Sequence, residues 1–468
     1  MNHRFGVVLL AVLASMGIAG CGGGGGGGGG GTVTPPPGVY SFGGTVSGLV
    51  GSGLVLQNNG GNNLPVSGNG MFTFTGTTTN PAAAYAITVL TQPSSPTQLC
   101  TVTNGSGNLA SASASASVAS VQVNCVATAW KSISAGNSHT LAIRGDDTLW
   151  AWGSNASGEL GDGSGVQQDE PLKVGSATWT QVSASYHCSF GIRTGGTLWA
   201  WGDGPACSGV AGSATPVQVG SAIWTEVSTA INRTVAIKSD GTLWAWGSNS
   251  YGELGDGALN PQNAPIKIGS ATNWASVSAG GASFSIAIKT DGTLWAWGQT
   301  CLIGQGTCPV GGTGTPTQIG SATNWSRISA GFIHALALKT DGTLWAWGVN
   351  DNGELGDGTT TTQYAPVHIG TAAWSLINAG NGGHAIKTDG TLWGWGPNNY
   401  GQLGDGTRVG RLAPVALSPG IWARAVAGYG SHSLAIKGNG AMQSSGLNQS
   451  GQLGNGKTTI ETAPVQIP

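Results

Sequence analysis

The sequence predicts an all-β fold, a β-propeller preceded by a small β-sandwich. Three observations predict it. Seven tryptophans, Trp130, Trp179, Trp224, Trp274, Trp325, Trp374 and Trp422, open seven copies of one unit at steps of 45 to 51 residues. About twenty residues after each opener comes "DGTLWAWG" or a relative, with Trp pairs at 150/152, 199/201, 244/246, 295/297, 345/347 and 393/395. Openers and pairs together account for all 19 tryptophans. A period near fifty built of strand-like segments is the signature of a propeller. Ahead of it, residues 39–127 alternate apolar and polar positions between Gly and Asn turns, as half-buried strands do.

The chain has 468 residues, of which only 8% are charged and 84 are Gly. A typical domain carries about a quarter charged residues. The polar surface is therefore mostly Ser, Thr, Asn and Gly, which suits an exported protein. A net charge of −2 gives no general attraction to nucleic acid or anionic membranes.

Residues 1–20 read as a signal peptide: Arg4 is basic, Phe5–Met16 is apolar, and the run is too short to span a bilayer. "Ile18-Ala19-Gly20-Cys21" resembles the bacterial lipoprotein signal, in which the Cys becomes the acylated first residue. That resemblance implies lipidation of Cys21, and the Gly after it implies sorting to the outer membrane or cell surface. Residues 21–38 continue as ten glycines and "TVTPPPG", a flexible tether stiffened at its exit. No strand and helix flank the glycines, so they make no phosphate loop.

In the region 39–127 the expected strands are Ser41–Ser47, Gly53–Gln57, Gly70–Thr75, Tyr85–Thr91, Leu99–Thr103 and Ser117–Cys125, forming an antiparallel sandwich. It resembles the immunoglobulin-like modules of bacterial surface proteins. Cys100 and Cys125 fall in the last two strands, and an oxidising compartment favours a disulfide between them.

Each unit of residues 128–468 offers four strands, which in the third unit are "WTEVS", "TVAIK", "TLWAWG" and "APIKIG". Asp240-Gly241 makes a tight hairpin. A Pro opens the last strand in every unit: Pro171, Pro216, Pro265, Pro316, Pro366, Pro414 and Pro464. The pattern "W..ISAG.SHTLAIK.DGTLWAWG.N..GELGDG" resembles the regulator-of-chromosome-condensation repeat family over residues 129–468. The resemblance implies seven blades. The last strand, "APVQIP", has no unit after it, so the two ends are expected to meet in one mixed blade and close the ring. Gln443 and Ser445 replace the paired Trp in the last unit and mark the expected seam.

The polar columns read as repeat architecture. His139, His334 and His432 share one column; His384 is offset by a one-residue deletion, His187 lies one residue before it, and His368 lies in a final strand. Glu159, Glu253 and Glu354 alternate with Gln402 and Gln452, so the acid is not a catalytic base. Asp162, Asp256, Asp357, Asp405 and Asn455 sit in Gly-flanked Asx turns; calcium is a weak alternative there, since each loop by itself offers too few oxygens. Arg144, Arg193, Lys238, Lys289, Lys339, Lys387 and Lys437 form a basic column, read as a solvated rim. No catalytic residue, cofactor or metal site emerges.

Departures from the pattern cluster in blades 2–4. Cys188, Arg233 and Phe284 take the histidine column there, and blades 2 and 4 lose "Leu-Gly-Asp-Gly". The replacing loops hold Pro205 and Cys207 in blade 2 and Cys301, Leu302, Ile303 and Cys308 in blade 4. Cys188–Cys207 and Cys301–Cys308 are candidate disulfides. Arg233, Phe284, Pro205, Leu302 and Ile303 make a candidate binding patch; drift in loosely constrained loops accounts for the same departures.

The leading functional expectation is a monomeric, envelope-anchored, non-enzymatic module that binds a protein or glycan. The family resemblance gives precedent, since secreted bacterial members include a β-lactamase inhibitor. It also implies an alternative, guanine-nucleotide exchange, which an export signal disfavours. A propeller lyase or hydrolase is the third reading, and it requires non-repeating acids or histidines near the axis.

Overall fold

A computed structural model describes residues 41–468, apart from 51, 76, 77, 79, 81, 82, 94–97, 109–116, 128, 204–206, 208–211 and 308–310. The described residues are almost entirely β, with one 3-10 turn at Thr300–Leu302. None of their helices is long and apolar enough to cross a membrane. Cys21 and the glycine run lie outside the described residues.

The first region is a pair of four-stranded sheets. One orders Gly70–Thr73, Ser41–Ser47, Ser117–Ala127 and Gln98–Thr103; the other orders Asn62–Val66, Leu54–Asn58, Ala84–Thr91 and Ser106–Asn108. Inward residues of both, among them Val46, Phe72, Val121, Val123, Leu54, Leu56 and Ile87, form one core. The Asn-Gly signal at 58–63 is a tight hairpin in which Asn58 opposes Asn62, and Asn59 and Gly60 take φ of 52° and 70°. The sandwich is not wholly antiparallel: Ser41–Ser47 pairs parallel with Ser117–Ala127. Cys100 and Cys125 face each other across two paired strands and are disulfide-bonded.

Seven four-stranded blades follow, each a simple antiparallel meander from an inner to an outer strand. Blade 5 is typical: Trp325–Ala330 inside, then His334–Lys339, Leu344–Gly348 and Gln363–His368 at the edge. In blades 1 to 3 the chain leaves an outer strand and enters the next inner strand without a break, giving 17-residue segments Gln168–Ala184 and Ser213–Thr229. The prolines do not open the outer strands. Pro265 sits inside Gln262–Lys267, where the register shifts between Ala245/Ile266 and Gly247/Gln262. A bulge on an edge strand needs no N–H from it, so Pro is tolerated.

The mixed blade does not form. Glu461–Ile467 pairs with Met442–Gly446 of its own unit, so blade 7 is complete by itself. The ring closes instead by packing blade 7 on blade 1. Leu434, Ile436, Met442 and Ile467 share one core with Trp130, Ile133, Ala142 and Trp152. Apolar faces of neighbouring blades merge the same way around the ring.

Candidate binding face and the repeat framework behind it

The "Glu-Leu-Gly-Asp-Gly" loop of blades 1, 3 and 5, and its Gln-led equivalent in blades 6 and 7, tucks under the next blade. A buried Asn organises it: Asn249 Nδ2 donates to Asp256 Oδ1 at 2.9 Å, while its Oδ1 accepts from Leu254 N at 2.9 Å. Glu253 contributes one oxygen, accepting from Tyr251 N at 2.7 Å, and Gln402 does the same for Tyr400 N at 3.0 Å. One acceptor is all this position needs, which is why Glu and Gln interchange. The backbone carbonyl of that residue then receives the second Trp indole of the next blade: Trp201 to Glu159 at 2.8 Å, Trp297 to Glu253 at 2.9 Å, and Trp395 to Glu354 at 2.9 Å. Trp152 to Gln452, at 2.9 Å, closes the circle. The Gly after the Leu has φ of +72° at Gly454, and a Cβ there would stand 2.7 Å from the Trp152 indole nitrogen. Only Gly serves both demands.

Blade 4 keeps this loop in disguise. Trp347 donates to Leu302 O at 3.0 Å, and Gly304 and Gly306 reproduce the two positive-φ glycines. Leu302-Ile303-Gly304-Gln305-Gly306 thus follows the course of Glu-Leu-Gly-Asp-Gly, which buries both Leu302 and Ile303.

The basic column does not form a solvated rim. Each cation lies over tryptophan, with Lys238 Nζ 3.3 Å and Arg193 Cζ 3.4 Å from the rings of Trp244 and Trp199. In blade 7, where Gln443 stands for the first Trp of the pair, Lys437 keeps only Trp422, at 5.3 Å.

The histidine column lies between blades. His139 Nε2 meets Ser189 Oγ of the next blade at 2.9 Å, and His432 Nε2 meets Thr140 Oγ1 at 3.3 Å. Burial holds His139, His334 and His384 down at about 4, and His432 at about 3, so all four are neutral near pH 7. His384 stands in the register of Leu336, two places past the column, because its strand slides: it opposes Gly394 as Leu336 opposes Ala346.

The patch expected on blades 2–4 is interior at each described residue. Arg233 and Phe284 are in the histidine column, which faces the next blade, and both are buried. The Arg233 guanidinium donates to the carbonyls of Gly280 and Phe284, and burial lowers its pKa to about 10. Leu302 and Ile303 are core, and Pro205 lies outside the described residues. Cys188 and Cys207 are bonded within blade 2. Cys301 is disulfide-bonded too, while Cys308 lies outside the described residues.

What is exposed lies elsewhere. The hairpins joining first and second strands gather at one end of the axis, and the residue at their tip differs in nearly every blade. Tyr186 and Phe332 stand 40% and 37% exposed there. Tyr186 meets His187 edge to face with ring centroids 4.5 Å apart; Phe332 packs on Tyr429 at 6.3 Å. Tyr429 reaches across the axis from blade 7, its hydroxyl donating to Ala279 O of blade 4 at 3.1 Å, and burial pushes its pKa up to about 12. These aromatics follow no repeat. Their signal in the sequence was that lack of pattern: the tips read Asn137, Tyr186, Ile231, Gly281, Phe332, Asn381 and Tyr429, between strands that repeat. Among the described residues no His, Cys, Asp and Glu cluster could hold a metal.

Models of the regulator of chromosome condensation (RCC1) repeat match residues 130–159 and 325–354 in one form, and 146–192, 240–288, 341–382 and 389–436 in another. Among curated proteins none matches the chain. Of solved structures, human WBSCR16 superposes with a TM-score of 0.62 at 19% identity, over 69% of this chain and 94% of that one. Prp20p from Saccharomyces cerevisiae, described by its binding to Gsp1p and histones, gives 0.46 at 21% identity, over 72% and 77%. The CRINKLY WD40 ectodomain of the Arabidopsis thaliana receptor kinase ACR4 gives 0.46 at 14%, over 73% and 99%. The chain carries regulator of chromosome condensation repeats, folded as a seven-bladed propeller behind a small β-sandwich.

Proposed function

We propose that the chain is an exported, lipid-anchored binding module that captures a protein on the axial face carrying Tyr186 and Phe332. The observation that carries this reading is the pair of exposed, non-repeating aromatics on a face whose other hairpin tips are Asn137, Ile231, Gly281, Asn381 and Tyr429. Aromatic anchors of this kind dominate protein interfaces, and the seven-fold framework holds them rigidly. Exposed Tyr251 and Tyr400, beside the Asn-centred loops, extend the apolar area. The signal peptide and Cys21 supply the address, and the glycine tether supplies reach from an outer membrane or cell surface. Nucleotide exchange is disfavoured by that address. No residue is assigned a catalytic role.

A glycan is the second reading. It is supported by a groove of about 360 Å³ between blades 5 and 6, lined by Trp374, Trp393, His368 and Asp357. Lys387 lies over both indoles, so the contacts offered to a sugar are the polar groups of Lys387, His368 and Asp357.

The test is a crosslinking pull-down from the envelope fraction and culture fluid of the native organism, with the oxidised chain as bait. One protein recovered near equal stoichiometry, competed by free chain and lost with the Tyr186→Ala/Phe332→Ala pair, supports the reading. A partner retained by that double variant removes the axial face from the mechanism, and glycan arrays then test the groove.

A further inference from the structure

The axial channel is lined by a ring of polar side chains, mostly serines, followed by a ring of mostly alanines. Its middle ring is Ser134, Ser183, Ser228, Ser278, Ser329 and Asn378, one from each of blades 1 to 6. Each serine oxygen accepts a backbone N–H from the next blade: Ala184, Thr229, Ala279, Ala330 and Ala379, at 2.8 to 3.0 Å. A hydroxyl that accepts in this way keeps its own proton to donate. Among the described residues none of the five serines donates to a protein acceptor. Five hydroxyl protons therefore remain for whatever occupies the cavity, which holds about 120 Å³. That is space for about four waters at their share of liquid volume, or one group the size of phosphate or sulfate.

The ends of the channel differ. Tyr429 bars one of them by its bond to Ala279. Toward the other, the inner strands place Ser132, Gln181, Glu226, Ser276, Arg327, Leu376 and Arg424 in one register, each opposite an Ile or Leu of the second strand. Gln181 shows the direction of this ring, since its amide bonds both N–H and C=O of Val227 in the next inner strand. Glu226 likewise accepts from Ser276 Oγ at 3.0 Å and Val277 N at 3.3 Å. Arg327 and Arg424 are exposed and enter no salt bridge among the described residues. In a chain this poor in charge, two such guanidinium groups in one ring of seven are a concentration of positive potential.

We propose that the axial well binds a small oxyanion, with the serine hydroxyls donating to it and Arg327 and Arg424 drawing it in at the open mouth. Glu226 opposes this only in part, because burial raises its pKa to about 7 against the two hydrogen bonds that favour its charge, leaving it partly protonated at neutral pH. The site is independent of the aromatic face, which lies beyond Tyr429.

Isothermal titration of the full chain with sodium sulfate and with sodium phosphate tests the proposal, sodium chloride at equal ionic strength being the control. Saturable binding near one per chain is expected for either oxyanion and not for chloride. Arg327→Gln and Arg424→Gln each weaken it about tenfold or more, while Glu226→Gln tightens it severalfold, all three keeping the parent melting temperature. A Ser278→Ala variant, which leaves the mouth intact, weakens binding without changing its salt dependence. Absence of saturable binding, or affinity unmoved by the two arginine variants, overturns the proposal and leaves a column of water in the channel.

Discussion

Blade 7 is joined to its two neighbours by different means. Toward blade 1 it presents the full repeat device: Gln452 O receives Trp152 at 2.9 Å, Gly454 lies against the indole, and His432 reaches Thr140. Toward blade 6 the device is depleted. Ser445 stands where the second Trp belongs and reaches Gln402 O at 3.4 Å, with only a hydroxyl in place of an indole. A small pocket of about 20 Å³ opens there, lined by His384, Leu403, Trp422, Gln443, Ser445 and Pro464. His384, displaced from its column, reaches into part of the vacated space. The comparison teaches that the ring is not closed by a special blade. The closing junction is an ordinary one, and the irregular junction sits one blade earlier, between units adjacent in sequence, where a loss of packing costs least in loop closure.

Acid attacks both junctions and carries the largest expected effect. His432 lies at one and His384 at the other, with folded-state values near 3 and 4 against an unfolded value of 6.5. The unfolded chain therefore takes up protons first as pH falls. The stabilisation is complete above pH 6.5 and is lost progressively toward pH 4 and below. His139 and His334 add to it in the same direction. Each tenfold difference in proton affinity between the unfolded and folded chain is worth about 1.4 kcal/mol, so several kcal/mol vanish over that window. Urea denaturation at pH 7.5 and 4.5 reads the loss, and equal stability at both would show these histidines to be solvated.

Trp152→Ala comes next. Removing a fully buried Trp costs about 3 to 5 kcal/mol, and here it also removes one of the two donors to the Gln452 carbonyl at the closing junction, Thr140 Oγ1 remaining as the other. Chemical denaturation is expected to show that loss; a loss under about 1 kcal/mol would mean the ring tolerates an open seam. Ser445→Trp has the smallest effect and the opposite sign. An indole there restores the bond to the Gln402 carbonyl that the other junctions have, and is expected to stabilise by about 1 kcal/mol once His384 gives way. A destabilised variant would place the indole outside the pocket and make the depleted junction a packed one.

The sequence was most informative where it repeats. Opening tryptophans, four strands per unit, the Asp-Gly hairpin and the Asx loops are all visible because each recurs in register. It misled where a repeat was broken. Arg233 and Phe284 looked like surface novelties because they depart from a His column, yet the column itself lies between blades, so any occupant is buried. Leu302 and Ile303 looked like a new loop because only the glycines match "Glu-Leu-Gly-Asp-Gly", although the backbone with its two positive-φ glycines is preserved. The mixed blade was inferred from a last strand without a successor, but pairing within a unit is local and a return across the whole ring is not. Tyr186 and Phe332 escaped notice because a single hairpin residue has no periodicity to reveal it. Arg327 and Arg424 escaped because the inner strands read as half-buried in every unit, and which half faces the axis is set by the ring.

The indole-to-carbonyl bonds carry an order in time. Between successive blades the donor follows its acceptor by 41 to 45 residues, so each can form soon after its unit emerges during synthesis. Trp152 waits for Gln452, 300 residues on. Until then the first blade keeps one apolar flank uncovered. The final repeat acts as the release of that wait: before it emerges, the protein is an open arc with two sticky ends, and a chain interrupted at that stage has every reason to find another such arc.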